Sequence, residues 1–185
     1  MDSTLINFKN DLFLAMVYVL PESPSCSETD IEMVYAQLME DVTKYSKMGN
    51  IMIQCDCNAY TNTSPDFILY DESNHATQND TFNIHDNMMS RNNLDHKRVN
   101  NSGKYLLNMC KEARLRILNG RSTCDLFGNP TCIAYNGCGL AYYTLVSCDL
   151  LNSVGYFQVH DFTALSDHCP IVCGLCTTIA IDYTH

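Results

Sequence analysis

The sequence predicts one α/β domain, on three observations: an apolar run over 12–20, an amphipathic helical pattern over 27–45, and an alternating strand over 50–58. Strand and helix patterns that alternate along one chain point to that class. At 185 residues the chain has the size of a single domain and can bury about 70% of its unfolded surface. One core is expected.

The run Leu12–Leu20 (LFLAMVYVL) is apolar nearly throughout and stops at Pro21, the pattern of a strand buried on both faces. Ser27, with Asp30 three residues on, makes a capping-box start. Ile31, Val34, Tyr35, Leu38, Val42 and Tyr45 then recur at helical spacing until Gly49 supplies a stop. In Asn50–Asn58 (NIMIQCDCN), alternation puts Ile51, Ile53, Cys55 and Cys57 on one face and Met52, Gln54, Asp56 and Asn58 on the other. The polar face therefore ends in a carboxylate and an amide. From Ala59 to about Asn101 the chain is rich in Asn, Asp, Ser and Thr and reads as long loops with a short helical turn. Ser102 caps a second helix running to Arg114, with Leu106, Leu107, Cys110 and Ala113 inward. Strands are expected at Leu115–Leu118, Thr131–Tyr135, Ala141–Ser147, Tyr156–Val159 and Pro170–Leu175, separated by Gly, Asn and Asp.

Composition narrows the function. With 46% hydrophobic and 17% charged residues the chain is an ordinary folding sequence, neither disordered nor membrane-like. The formal net charge of −10 disfavours a tight binder of polyanions, which normally relies on Lys and Arg. Phosphate chemistry on such a surface needs a cation. The eleven cysteines are odd in number and scattered through strands and helices, so mostly reduced thiols acting as small buried hydrophobes are expected. Cys55 and Cys57 form a CxC, and Cys173 and Cys176 a lone CxxC. A structural zinc site usually needs about four ligands, so a zinc reading on Cys173, Cys176 and their neighbours ranks last. The apolar run Leu12–Leu20 falls far short of the roughly 20 residues that span a bilayer. Flanked by Asp2, Lys9, Asp11 and Glu22, it also lacks the form of a signal peptide. An intracellular protein with no membrane partner is expected.

Three segments in order carry a resemblance: VYVLPE at Val17–Glu22, QCDCNA at Gln54–Ala59 and SDHCPI at Ser166–Ile171. Between them stand ILNGR at Ile117–Arg121, Asp125, Gly128, Thr131 and a tyrosine-bearing strand ending in LVS. Over about 12–176, leaving 177–185 as a tail, the chain resembles the endonuclease/exonuclease/phosphatase family, in the subgroup found in non-LTR retrotransposons. The resemblance implies two β-sheets packed face to face with helices outside and a site at one end of the sheets. It also implies a single partial domain over 1–185 that begins near the family's middle strands.

The implied chemistry is Mg²⁺- or Mn²⁺-dependent hydrolysis of a phosphoester, with nucleic acid or a small phosphoester as substrate. Asp56 would align and deprotonate the attacking water, and Asn58 would hold that carboxylate and donate to the phosphate. His168 would donate to a phosphate oxygen where charge builds up. Asp167 would sit beside it as a weak metal ligand, and Tyr18 would hydrogen-bond the phosphate. Neighbouring strand residues point to opposite faces, so Asp167 and His168 can share a site only on a turn.

Two departures accompany the resemblance. The family's N-terminal asparagine and metal-binding glutamate have no counterpart, neither Glu22 nor Glu112 standing in a matching motif. In AYYTLVS, Tyr142 occupies the position where the family has an aspartate that supports the histidine. Activity is therefore expected to be weak or absent, the alternative being a non-catalytic module that uses Asp56, Asn58 and His168 to hold phosphate or a protein. Exposed sheet edges and association are expected as well.

Overall fold

Residues 11–23, 27–68, 90–134 and 137–176 are described by the computed structural model. In chain order its elements are β1 (Asp11–Tyr18), α1 (Glu28–Tyr45), β2 (Gly49–Asp56), α2 (Asn101–Glu112), β3 (Leu115–Ile117), β4 (Cys132–Ala134), β5 (Gly137–Gly139), β6 (Tyr142–Ser147), α3 (Cys148–Leu151), β7 (Val154–Val159) and β8 (Ile171–Leu175). The main sheet has the order β1-β2-β6-β3, with β1 parallel to β2 and the remaining pairs antiparallel. β4 pairs with β5, and β7 with β8.

The alternation of β2 divides the interior in two. Ile51, Ile53, Cys55 and Cys57 face Ile31, Tyr35, Leu38 and Val42 of α1 and Leu106 and Cys110 of α2 in the larger cluster. Met52 points the other way, into a second cluster with Leu118, Val146, Leu150 and Phe157 against which the β7–β8 pair packs. The result is a helix layer, a four-stranded sheet and a small second sheet, which is the expected sandwich with its helices outside. No helix among the described residues is long and apolar enough to cross a membrane.

The helix starts show how local chemistry sets the frame. Ser27 and Asp30 form the expected capping box, the Asp30 carboxylate accepting from the Ser27 N–H at 2.9 Å. The cap of α2 is Asn100 and not Ser102. The Asn100 side-chain oxygen accepts from both Gly103 N–H (2.9 Å) and Tyr60 N–H (2.8 Å), joining the helix start to the chain that leaves β2. Ser102 lies within the helix, buried, and its hydroxyl donates to the Cys57 carbonyl at 2.7 Å. A hydroxyl able to reach the neighbouring strand has a better partner there than its own helix end.

β1 corrects the sequence reading. Phe13, Ala15 and Val17 pack on the helix-side core, but Leu12, Leu14, Met16 and Tyr18 are 42, 60, 73 and 60% exposed. Among the described residues β1 is an edge strand, and none of its residues joins the second cluster. The short strand β5 and the helix α3 carry no periodic apolar signal and were not expected. Cys55 and Cys57 are joined as a disulfide, while Cys110, Cys124, Cys132, Cys138, Cys169, Cys173 and Cys176 are free thiols. The helical turn expected within 59–101 is absent from 59–68 and 90–100; residues 69–89, Tyr135 and the tail 177–185 lie outside the described residues.

Beneath the loops, Asp66 is fully buried and accepts from Arg121 Nη2 at 2.6 Å and from the Ile117 N–H at 2.8 Å. Arg116 and Arg91 are buried in the same region, Arg116 donating to the Asp66 carbonyl at 3.1 Å. Burying charge is tolerable only when it is paired and hydrogen-bonded, and Asp66 supplies the pairing.

Candidate active site

Strand register assembles the first part of the site. Tyr18 of β1 pairs with Asp56 of β2, and Asp56 pairs with Tyr142 of β6, so the three lie in one row across the sheet at the C-terminal end of β2. They line a cleft of about 420 Å³ whose remaining wall includes Met16, Gln54 and Ile171. Asp56 Oδ1 is buried without a hydrogen-bond partner. Burial pushes the Asp56 carboxyl above its usual range, opposed by the charge of His168 and by the backbone N–H of Asn58. A carboxylate held high is better suited to taking a proton than a solvated one.

Asn58 is placed differently from the strand argument. A period of two brings its amide beside Asp56 only if the strand continues, and β2 stops at Asp56. Asn58 has φ 43°, in the left-handed region that asparagine tolerates, and its side-chain amide donates to the Val19 carbonyl at 2.9 Å. What it presents to Asp56 is its main-chain N–H.

Asp167 and His168 lie on a bend that follows the Thr163–Ser166 turn. His168 Nε2 is 4.0 Å from Asp167 Oδ1, so the pair does converge. Backbone bonds from Ile133 N–H to Asp167 O and from Cys169 N–H to Thr131 O, both 2.8 Å, flank a bridge between Cys132 and His168. In antiparallel pairing that arrangement marks the non-hydrogen-bonded pair, whose side chains stand closest. Cys132 is thereby delivered to the site, a residue that sequence reasoning missed. Its one signal is its place in the strand expected over Thr131–Tyr135.

Tyr142 stacks on the His168 ring, with centroids 4.3 Å apart and planes 25° from parallel. His168 Nδ1 is buried and has no partner. Tyr143, one residue on and therefore on the other face, is fully buried and its hydroxyl donates to the Ala59 carbonyl at 2.7 Å. The strand itself is clamped: Thr131 Oγ1 accepts from the N–H groups of Ala141 and Tyr142 (2.9 Å each), and Asn119 donates to the Tyr142 carbonyl at 3.0 Å and accepts from Thr144 N–H at 3.2 Å. The NGR segment thus serves the site from behind, its asparagine holding β6 and its arginine pairing with Asp66. Gly120, at φ 80°, passes so close to the Asn92 carbonyl that a Cβ would overlap it.

The donors available to a metal can be tested against the one that the resemblance implies. Among the described residues, one group of three brings its donor atoms within 4.8 Å of one another: Cys132, Asp167 and His168. Mg²⁺ takes oxygen ligands in near-octahedral array, and only Asp167 of the three supplies oxygen. Glu22 is committed elsewhere, its carboxylate accepting from the N–H groups of Asn101 and Ser102 at the start of α2. The convergent triad does not fit Mg²⁺. Cys173 and Cys176 gather no further ligands among the described residues.

No protein-family profile and no curated protein sequence matches the chain. Solved structures do. The endonuclease domain of TRAS1, a telomere-specific non-LTR retrotransposon, aligns at TM-score 0.54 and 18% identity over 85% of this chain and 54% of that one. The 3'-5' exonuclease NExo from Neisseria meningitidis aligns at TM-score 0.52 and 14% identity over 86% of this chain and 60% of its own. A variant of the 3' phosphatase NExo from Neisseria, bound to a product DNA hairpin, gives TM-score 0.54 and 14% identity with coverage of 86% and 60%. The chain spans between 54 and 60% of the length of these structures. Its α/β architecture is the fold of endonuclease and exonuclease domains.

Proposed function

We propose that the chain is an endonuclease/exonuclease/phosphatase-type domain descended from a phosphodiesterase of nucleic acid, of the non-LTR retrotransposon kind, and that its own turnover is severely impaired. Descent is supported by the order DCN, NGR, SDHCPI together with the fold shared with nuclease structures. In the ancestral reaction, water attacks phosphorus in line. Asp56 takes its proton, and His168 faces the developing phosphoryl charge. Tyr18 completes the row across the cleft.

The observation that carries the impairment is the Tyr142–His168 stack at 4.3 Å with His168 Nδ1 unpaired. An imidazole that works as a proton donor needs a carboxylate to fix its tautomer and steady its charged form. Removing that partner in another hydrolase costs about 10⁴ in rate. A stacked, neutral phenol supplies neither effect.

The test is a supercoiled-plasmid nicking assay with Mg²⁺ and Mn²⁺ on the unmodified chain and on Asp56→Ala. The expected result is no turnover above the variant's background. Fast nicking that Asp56→Ala abolishes would overturn the impairment. A non-catalytic module that holds phosphate or a protein in the same cleft is the second reading, favoured by the presence of Tyr18 and Asp56 side by side at the cleft. Salt-sensitive DNA binding without cleavage would support it, against a net charge of −10.

A further inference from the structure

We propose that Cys132, Asp167 and His168 form a binding site for a zinc-class divalent ion, in which this chain's own thiolate replaces the oxygen donors that Mg²⁺ would need. The argument begins with the backbone. The bridge between Cys132 and His168 is a non-hydrogen-bonded antiparallel pair, so thiol and imidazole leave the two strands on the same side at the closest spacing a sheet offers. The bend at Asp167 adds a carboxylate, and the donor atoms of all three lie within 4.8 Å of one another.

The ligand types decide the ion. A thiolate, an imidazole and a carboxylate are an S, N, O set that suits Zn²⁺, Co²⁺ and similar ions, whereas Mg²⁺ and Ca²⁺ take oxygen. Tetrahedral bonds of the usual lengths would place such donors about 3.3–3.6 Å apart, so contraction by about 1 Å closes the site. Asp167 can supply much of that movement, its side chain being 73% exposed. Three protein ligands leave the fourth position open, which is the arrangement of ion sites that also take water or substrate.

A second, independent observation concerns partners. His168 Nδ1 and Asp56 Oδ1 are both buried and both lack a hydrogen bond. Buried polar atoms are rarely left in that state, and an ion or an ordered water is one explanation for them. The Tyr142 stack holds the imidazole plane against rotation, so the ring is oriented before any ion arrives. Binding would release the Cys132 proton to solvent as the thiol becomes a ligand.

The inference rests on a site that shares Asp167 and His168 with the proposed function but is read by binding, so it can fail while the nuclease ancestry stands, and the reverse. The experiment uses the full chain, reduced and stripped with chelator, titrated with Co²⁺ alone and then with Zn²⁺ in competition. About one equivalent of Co²⁺ is expected, with a thiolate-to-cobalt charge-transfer band that Zn²⁺ displaces. Cys132→Ser should remove the band and weaken affinity at least tenfold, His168→Ala should weaken it comparably, and Cys176→Ser should change nothing. Matching circular dichroism melts of the metal-free proteins show that both site variants fold. Absence of stoichiometric binding by the unmodified chain overturns the proposal, as does a band that survives Cys132→Ser or disappears in Cys176→Ser.

Discussion

Replacing Tyr142 by aspartate is the most discriminating perturbation of the site. The substitution removes the Tyr142–His168 stack, whose centroids lie 4.3 Å apart, at a cost of about 0.5–1.5 kcal/mol. It also puts a carboxylate directly across β2 and β6 from Asp56, and like charges at such a position cost about 0.2–1 kcal/mol. The sum is about 0.7–2.5 kcal/mol of lost stability, or a melting temperature lower by about 1–10 °C for a chain of this size. Against that loss stands a gain in chemistry. The new carboxylate is delivered to the imidazole that Asp167, 4.0 Å away and largely solvated, does not orient. Recovery of the partner's contribution would raise plasmid nicking by about 10²–10⁴. The assay is nicking with Mg²⁺, Mn²⁺ and Zn²⁺, run beside thermal melts, on Tyr142→Asp and on Tyr142→Asn. The asparagine variant loses the same stack without adding charge. Equal rates in the two variants, or a folded Tyr142→Asp no faster than the parent, would refute the view that the missing carboxylate limits this site.

Three further outcomes follow from the same geometry. Asp66→Asn leaves the Arg121 guanidinium buried without its counter-charge, which costs about 3–5 kcal/mol and should appear as a large drop in the urea midpoint; an unchanged midpoint would show that other groups carry the pairing. Asp56→Asn should stabilise the protein at neutral pH. Burial holds the folded carboxyl above its ordinary value of 3.8, so ionising it works against the folded state; that penalty grows as pH rises from the unfolded value through the folded one and is absent below it. The variant's advantage in urea melts should therefore shrink to nothing as pH falls below about 4, and an advantage independent of pH would refute burial of charge as its cause. Leu12→Thr combined with Leu14→Lys removes two exposed apolar side chains (42 and 60%) from the open edge of β1, and charge on an edge strand blocks strand addition. Light scattering after size exclusion should show an associating parent and a monodisperse variant, and a parent that is already monomeric would contradict the expectation.

The fold was legible where one element satisfied one pattern. Ser27, Asp30 and the apolar spacing of α1 are local facts, and the helix lies where they put it. β1 was legible as a strand and misread as a buried one, because nine apolar residues in a row describe the side chains and not the neighbours. Whether Leu14 meets a core or water depends on where β7–β8 ends, which is decided some 140 residues further along the chain. The site divides in the same way. Asp56, Asp167 and His168 are recognisable in short motifs, and their convergence follows from register and a bend. Asn58 illustrates the limit: the period of two is sound only while the strand lasts, and the chain turns into the left-handed region two residues after Asp56. Cys132 had no motif of its own. Its position opposite His168 depends on a bridge between segments 36 residues apart, and a pairing of that range leaves no trace in local spacing. Tyr142 was visible in the sequence as a departure from the resembled motif, yet its stack on the imidazole depends on the bend at Asp167 that brings His168 beside β6, and local spacing does not show that.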